Sequence, residues 1–334
     1  MGLNYTDNAS WQQWQQSRRR LHVLKDRLRP AAVSVTERRQ FWQRGEDPVL
    51  LVACDSNSPT NDHSLLRPLG RTHVPALVAA PARVSLDLPG DGWKQVDAAH
   101  LGSLRAVASI GDHLATGAWA HELARHHGWH QWIVQHGLLT PFAPPPPPGS
   151  TVLAWSSEDA AYLREGRDDL DTQVVGSPLL VEAARNPAPH VSRFETPVFL
   201  GQLHGAELSR LSMTLSTTAF WRATGAIYRP HPREEDKLSR LQHRVWQRMG
   251  MQIERAGNLA ELNRPVVAAF STGVLEAAAR GVPAWVHHRH PPSWLTELWR
   301  RYGLSQWGDP VPTAYVSEQV DPTGTIARLW EEQA

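Results

Sequence analysis

Residues 266–285 read VVAAFSTGVLEAAARGVPAW and form a complete strand, helix and strand pattern. An apolar strand ends at Phe270, and Ser271-Thr272-Gly273 then opens an alanine-rich helix. Gly281 is placed to end that helix, and Pro283 follows before the next apolar run. The pattern predicts one β-α-β unit of a parallel sheet.

The same alternation extends in both directions from this segment. Strands are expected at 49–54, 76–80, 105–110, 132–136, 151–155, 172–176, 197–201, 224–229, 251–255, 266–270 and 283–287. Helices are expected at 115–127, 157–165, 206–220, 234–248, 272–280, 292–302 and 316–333. Near-continuous apolar strands alternating with helices predict an α/β fold whose parallel sheets are covered on both faces.

The proline-containing segment 177–196 divides this pattern in two. We therefore expect two Rossmann-like, doubly wound parallel-sheet domains. The expected organisation is an N-terminal helical segment at 1–45, a first domain at 46–180, a second at 195–315 and a C-terminal helix at 316–334.

Composition excludes several classes of protein. The 334 residues carry a net charge of +1, which argues against a nucleic-acid partner. One cysteine, Cys54, excludes an internal disulfide and a multi-cysteine zinc site. The sequence shows neither a membrane span nor a signal peptide, so we expect a cytoplasmic protein. The basic amphipathic segment 9–29 fits a packed helix or a peripheral contact with the inner membrane.

Common cofactor and metal motifs are missing. His121 and His126 stand five residues apart, too far round a helix to share a zinc ion. Glycine-rich dinucleotide loops, a P-loop and a Gly-x-Ser-x-Gly elbow are not found. We expect no metal and no bound cofactor.

Two segments of the second domain suit a phosphate. Residues 226–232 (AIYRPHP) hold His231 rigidly between two prolines beside Arg229, where both side chains can donate to phosphate oxygens. Ser271, Thr272 and Gly273 open a helix whose free N–H groups favour an anion, and Gly273 lets a ligand come close to the backbone. Glu276 lies one turn further on, where it can accept from ribose hydroxyls. An ordinary turn and an ordinary capped helix are the alternatives.

One segment of the first domain suits a general base. In residues 132–137 (WIVQHG), an apolar strand ends on Gln135, His136 and Gly137, and we expect Gln135 and Gly137 to contact the substrate. Gly137 permits close approach, and His136 can remove a proton from an acceptor hydroxyl. A buried, hydrogen-bonded histidine is the alternative.

Together, QHG, RPHP and FSTGVLEAAARGVP resemble the glycosyltransferases of the GT-B fold, in which two Rossmann-like domains face each other across a cleft. The order of these motifs is similar to that in bacterial capsule, lipopolysaccharide and teichoic-acid transferases. The resemblance covers roughly residues 49–333. The resemblance implies that His231, Ser271 and Thr272 bind phosphate. It implies donor ribose binding by Glu276 and a catalytic base in His136.

Bacterial sialyltransferase-like enzymes are among the families that the motifs resemble, and their acidic base motif, Asp/Glu-Asp/Glu-Gly, is missing from the expected place in this sequence. Asp91-Gly92 is the nearest match, but it lies in a Pro/Gly turn. Asp112, which follows a strand, is the second candidate base. His204, after the first strand of the second domain, is a further donor contact.

The expected function is a metal-independent glycosyltransferase of surface polysaccharide or glycan synthesis. Its substrates are a nucleotide-sugar donor and a glycan or lipid-linked acceptor. The alternatives are a polyol-phosphate (CDP-glycerol-like) transferase, a nucleotide-sugar 2-epimerase and a non-catalytic sugar- or nucleotide-binding protein.

Overall fold

A computed structural model gives the structure of residues 2–18, 38–97, 101–255, 257, 259–316 and 320–333. The chain divides into two compact units, unit 1 (Met1–Leu179 and Gln319–Ala334) and unit 2 (Leu180–Glu318). The C-terminal segment therefore belongs to the unit formed by the first half of the chain.

Unit 1 is built on a mostly parallel sheet. Its described strands are β1 (Arg39–Arg44), β2 (Leu50–Ala53), β3 (Ala76–Pro81), β4 (Lys94–Val96), β5 (Ala106–Ser109), β6 (His130–Val134), β7 (Thr151–Ala154) and β8 (Asp171–Val174). They lie in the order β4-β1-β3-β2-β5-β6-β7-β8. Strand β1 runs antiparallel to β3 and β4, and the other neighbouring pairs are parallel.

Unit 2 has a smaller sheet that is parallel throughout its described strands. These are β9 (Val198–Leu200), β10 (Ile227–Arg229), β11 (Val266–Ala268) and β12 (Ala284–Val286), in the order β10-β9-β11-β12. Both sheets therefore place their first parallel strand between the second and the third. A reversal of strand order of this kind is where ligands bind in open α/β sheets.

Helices connect and cover the strands. In unit 1 they are α1 (Asn8–Arg18), α2 (Pro59–Asn61), α3 (Arg67–Arg71), α4 (Ala115–His127) and α5 (Ser157–Arg164), followed at the unit boundary by α6 (Pro178–Arg185). A π-helical turn, Asp62–Leu66, joins α2 to α3. Unit 2 contains α7 (Arg210–Thr224), α8 (Lys237–Arg248), α9 (Gly273–Ala279) and α10 (Ser293–Arg301), and α11 (Pro322–Glu332) returns to unit 1. Within the described ranges, no helix has both the length and the apolar character needed to cross a bilayer.

Alternation along β2 explains how both faces of the first sheet are buried. Leu50 and Val52 contribute to one core cluster, which also contains Ile326 and Trp330 of α11. Leu51 and Ala53 contribute to the opposite cluster, which includes Ala120 and Ala124 of α4. Because both faces are covered, the strand consists of apolar residues without a polar alternation.

The α/β class and its two largely parallel sheets are confirmed, and helix α4 occupies the predicted residues 115–127. Four features differ from the sequence expectations. Strands β1 and β4 and the helical run over 59–71 were not expected. The strand expected at 251–255 is reduced to one bridge, between Tyr228 and Ile253. Helix α6 lies inside the segment expected to be a connection, and most of the segment 9–29 lies outside the described residues.

Candidate functional site

The loops after β9, β10 and β11 bring polar residues to one edge of the second sheet. Strand β9 lies between β10 and β11, so the strand order reverses at β9. The carboxyl end of β9 is therefore the switch point of this sheet. Buried Gln202, just after β9, accepts the backbone N–H of Phe270, just after β11, at 3.0 Å. This hydrogen bond joins the two loops on either side of the switch point.

Two histidine rings stack at this edge. The rings of His204, from the β9 loop, and His231, from the β10 loop, have centroids 3.9 Å apart and planes inclined by 23°. Both side chains are partly exposed. Nδ1 of His231 accepts the backbone N–H of Arg233 at 3.1 Å, so the neutral ring carries its proton on Nε2. Burial lowers the pKa of His231, which favours that neutral form.

The buried carboxylate of Glu234 positions both loops. Its Oε1 accepts the backbone N–H of Leu203 at 2.9 Å, and its Oε2 accepts the Tyr228 hydroxyl at 2.8 Å. Nε2 of His243 lies 3.0 Å from the same Oε2. Arg255 donates to Nδ1 of His243 at 2.9 Å, which makes Nε2–H the donor to Glu234. Burial, together with the adjacent Glu234, raises the pKa of Tyr228 well above its usual value.

The segment around Ser271 is shaped largely by packing. The Ser271 hydroxyl accepts the backbone N–H of Gly273 at 3.2 Å, and Thr272 makes no side-chain cap at the start of α9. A Cβ built on Gly273 would lie 2.7 Å from Leu200 and 2.8 Å from Leu259. The missing side chain of Gly273 therefore lets α9 pack against β9, and the approach of a ligand to Gly273 stays a prediction.

Arg229 and Glu276 have different surroundings from those expected for a shared phosphate and ribose site. Arg229 forms an ion pair with Glu254, at 3.2 Å, and donates to the carbonyl of Gly257. Its guanidinium therefore binds the loop beside β10. Glu276 is partly buried on α9, and burial raises the pKa of its carboxyl although Arg280 opposes the change.

A second cluster lies after β5 and β6 in unit 1. The rings of His113 and His136 are nearly parallel, with centroids 6.4 Å apart. Asp112 accepts Nδ2–H of Asn8 through its backbone carbonyl, and burial raises the pKa of its carboxyl. Its Oδ1 is buried and makes no hydrogen bond to any described residue. Trp11 of α1 meets His113 edge-on, so this helix packs beside the cluster.

Gln135 is held by protein groups. Its Oε1 accepts the backbone N–H of Trp155 at 2.9 Å, and its Nε2 donates to Asp159 at 2.7 Å. Nε2 also donates to the carbonyl of Gly137 at 3.1 Å. Gln135 is thus a buried link between β6, β7 and α5, and substrate contact by Gln135 and Gly137 stays a prediction.

Sequence reasoning missed Asp55, which follows β2. Its two carboxylate oxygens accept the N–H groups of Thr116, at 2.8 Å, and Gly117, at 3.0 Å. A carboxylate of the chain therefore occupies the anion-binding position at the start of α4. The only sequence signal was an acidic residue directly after a buried strand. Across the described residues, no group of three His, Cys, Asp or Glu side chains is arranged to hold a metal ion.

Comparisons with protein-family models and with curated proteins found no match. Among solved structures, UDP-N-acetylglucosamine 2-epimerase from Rickettsia bellii matches at 10% identity, covering 85% of this chain and 95% of that chain, with a TM-score of 0.49. UDP-GlcNAc 2-epimerase from Methanocaldococcus jannaschii matches at 13% identity, with 85% and 99% covered and a TM-score of 0.41.

A mutant O-GlcNAc transferase from Thermobaculum terrenum matches at 11% identity, with 85% of this chain and 61% of that chain covered and a TM-score of 0.42. Likenesses of this size carry no information about chemistry. The chemistry of this protein must therefore be inferred from the residues of its own chain.

Proposed function

We propose that the chain is a glycosyltransferase that uses a nucleotide-activated sugar, with the donor bound in unit 2. The observation that carries the proposal is the stacked pair of His204 and His231, at the edge of the sheet where open α/β folds bind ligands. The buried Glu234 fixes both loops, so the rings are preorganised.

In this proposal His231 stabilises the leaving nucleotide. When the bond between the sugar and the terminal phosphate breaks, negative charge grows on the phosphate oxygen. The Nε2–H of His231 donates to that oxygen, and its position is set by the hydrogen bond that Nδ1 accepts from Arg233. Loss of one such preorganised donor lowers turnover by about 10²–10³.

The acceptor hydroxyl must lose its proton during transfer. We propose His136 as the base and Asp112 as the second candidate, because they follow β6 and β5 at the carboxyl edge of the first sheet. A glycan or lipid-linked acceptor of bacterial surface polysaccharide synthesis would fit the motifs that the sequence resembles. Ser271, Thr272 and Glu276 remain proposed contacts of the donor.

A nucleotide-sugar 2-epimerase is the second candidate function, and Asp112 favours it. Epimerisation moves a proton at a sugar carbon, so it needs a group that can take up and return a proton there. Burial raises the pKa of Asp112, and its Oδ1 has no hydrogen bond to the described residues. An epimerase would return an isomerised nucleotide sugar and release no free nucleotide.

The test is titration of the full chain with UDP, GDP, dTDP, CDP and CMP by calorimetry, with and without EDTA. We expect one nucleotide to bind whether or not EDTA is present. The affinity should fall at least tenfold in His204→Ala and His231→Ala. His190→Ala is the matched control, because His190 is an exposed histidine of the same unit. No binding of any nucleotide would contradict the proposal and favour a non-catalytic protein.

The full chain is then incubated with a sugar derivative of the nucleotide that binds, and the products distinguish the possible reactions. A nucleoside diphosphate product supports sugar transfer, whereas CMP released from a CDP-polyol identifies a polyol-phosphate transferase. A nucleotide sugar with inverted configuration at carbon 2 identifies the epimerase.

A further inference from the structure

Helix α8 presents a row of cations to solvent. Lys237, Arg240, Arg244 and Arg248 are exposed and follow each other at spacings of three, four and four residues, so they share one face. In the described part of the chain, none of the four forms an ion pair with a carboxylate. The row is therefore available to an external anion.

A second row on the same helix is apolar and equally exposed. Leu238, Leu241, Val245 and Met249 have the same spacings, and 41–51% of each residue is exposed. At 100° per residue this row lies about 100° round the helix from the cations. The buried face of α8 contains Ser239, His243 and Trp246, so both rows point away from the core.

Basic residues and exposed apolar residues also occur on the segments around α8. Arg255 joins Lys237, Arg240, Arg244 and Gln247 in lining an open groove of about 560 Å³. The neighbouring helix α7 contributes Leu211 and Leu215, which are 68% and 53% exposed. The indole of Trp246 donates to the hydroxyl of Thr218 at 3.0 Å and holds α7 beside α8.

We propose that this surface, the α8 face, binds the plane of a bilayer that contains anionic lipids. Lipid phosphates would pair with the cations and occupy the groove, while the apolar row would enter the boundary between headgroups and acyl chains. A bilayer matches both rows, because it offers negative charge and hydrocarbon side by side. A nucleic acid would use the cations and leave the leucines in water.

Within the described residues, Arg255 is the one groove residue linked to the proposed donor site, because it donates to His243 beside Glu234; the residues of α8 chosen for the test below have no such link. Lys237 begins α8 six residues after His231, and Asp236 caps the helix by accepting the N–H groups of Leu238 and Ser239. The exposed side chains of α8 make none of the contacts that position His204 or His231. Membrane binding can therefore be tested without disturbing the donor site.

The experiment is sedimentation of the full chain with vesicles of phosphatidylcholine alone or mixed with phosphatidylglycerol. We expect binding only to the mixed vesicles, and loss of binding in high salt. Because one basic residue near an anionic membrane is worth about a fivefold change in partitioning, Arg240→Glu with Arg244→Glu should weaken binding about 25-fold or more. Leu241→Ser with Val245→Ser should weaken it about tenfold, since both side chains lose buried hydrocarbon.

Each double variant has a matched control. Arg125→Glu with Arg300→Glu makes the same change in charge at exposed residues of other helices, and Val174→Ser with Val311→Ser removes exposed apolar groups elsewhere. Both controls should bind as the unmodified chain does.

Three results would overturn the proposal. The first is equal binding to both kinds of vesicle. The second is an unchanged affinity in both α8 variants. The third is a dimer, detected by sedimentation without vesicles, that Leu241→Ser with Val245→Ser converts to a monomer, because the α8 face would then bind a second copy of the chain.

Discussion

Glu234 joins the backbones that carry the two stacked histidines. Its carboxylate accepts the N–H of Leu203, the residue before His204, at 2.9 Å. Its own backbone N–H donates to the carbonyl of His231 at 2.8 Å. One buried residue thus joins the two histidine loops, by bonding to Leu203, 31 positions earlier, and to His231.

Replacement Glu234→Gln should destabilise unit 2 by about 2–3 kcal/mol. The carboxylate accepts three donors, whereas an amide has one oxygen, so a buried donor loses its partner. Urea unfolding followed by tryptophan fluorescence measures the loss. Glu235→Gln, at the exposed neighbouring position, is the control and should unfold as the unmodified chain does. Equal stability of both variants would contradict the role of Glu234.

Gly273→Ala tests whether this glycine serves packing or ligand binding. The added Cβ would crowd Leu200 and Leu259, so we expect a loss of about 1–3 kcal/mol of stability. Adding Leu200→Ala should relieve part of the crowding. The double variant should then lose less stability than the sum of the losses in the two single variants. If the double variant shows no such coupling and only nucleotide affinity falls, Gly273 faces the ligand.

The charged carboxylate of Asp236 stabilises unit 2, and this stabilisation is lost at acid pH. Burial alone would raise its pKa, but hydrogen bonds from Ser239 and the Arg210 guanidinium outweigh burial and lower the pKa to about 2. A carboxylate with a lowered pKa stabilises the fold above its unfolded pKa of 3.8 and loses that effect as pH falls through about 2.

The expected contribution of Asp236 is about 2 kcal/mol at pH 7 and about half of that at pH 3. Asp236→Asn keeps the helix cap and removes the charge, so it isolates this contribution. Urea unfolding at a series of pH values should show the difference between the two proteins shrink as pH falls. A difference that does not vary with pH would contradict the assignment.

The base can be identified from the pH dependence of kcat/KM. A general base must be deprotonated, so kcat/KM falls as pH drops below its pKa. Removal of the base should abolish this acid limb and lower kcat/KM by about 10²–10⁴. We expect this result for His136→Gln and an unchanged limb for Asp112→Asn. The opposite result would assign the base to Asp112, whose pKa is raised by burial, so that the limb would lie at a higher pH than that of an ordinary aspartate.

The parts of the fold that the sequence predicts well are those buried on both faces. Segments 49–54 and 266–270 are continuous apolar runs, because both sides of each strand meet a core. Strand β1, with the sequence RQFWQR, mixes aromatic and charged residues and is only partly buried. Its sequence pattern resembles that of a loop. The segment forms a strand because it pairs with β3, and this pairing leaves no signal in the local sequence.

The site is harder to predict because its anchors act over long distances. Asp55 accepts from residues 61 and 62 positions later, and Glu234 accepts from a residue 31 positions earlier. Neither partnership leaves a local pattern. Gln135 shows the reverse difficulty: a polar residue at the end of a strand suggests a ligand contact, but its hydrogen bonds are made inside the protein.

The carboxylate of Asp55 is in effect a ligand tethered to its own binding position. Dissolved phosphate competes with it only as a free ion, whereas the tether gives Asp55 a high local concentration at the start of α4. We therefore expect Asp55 to keep a free nucleotide from the start of α4, although the strand order of the first sheet matches that of the second. A nucleotide titration should accordingly saturate at one molecule per chain. In Asp55→Gly, a second and weaker binding event would show that the first sheet can also bind a nucleotide once the carboxylate is removed.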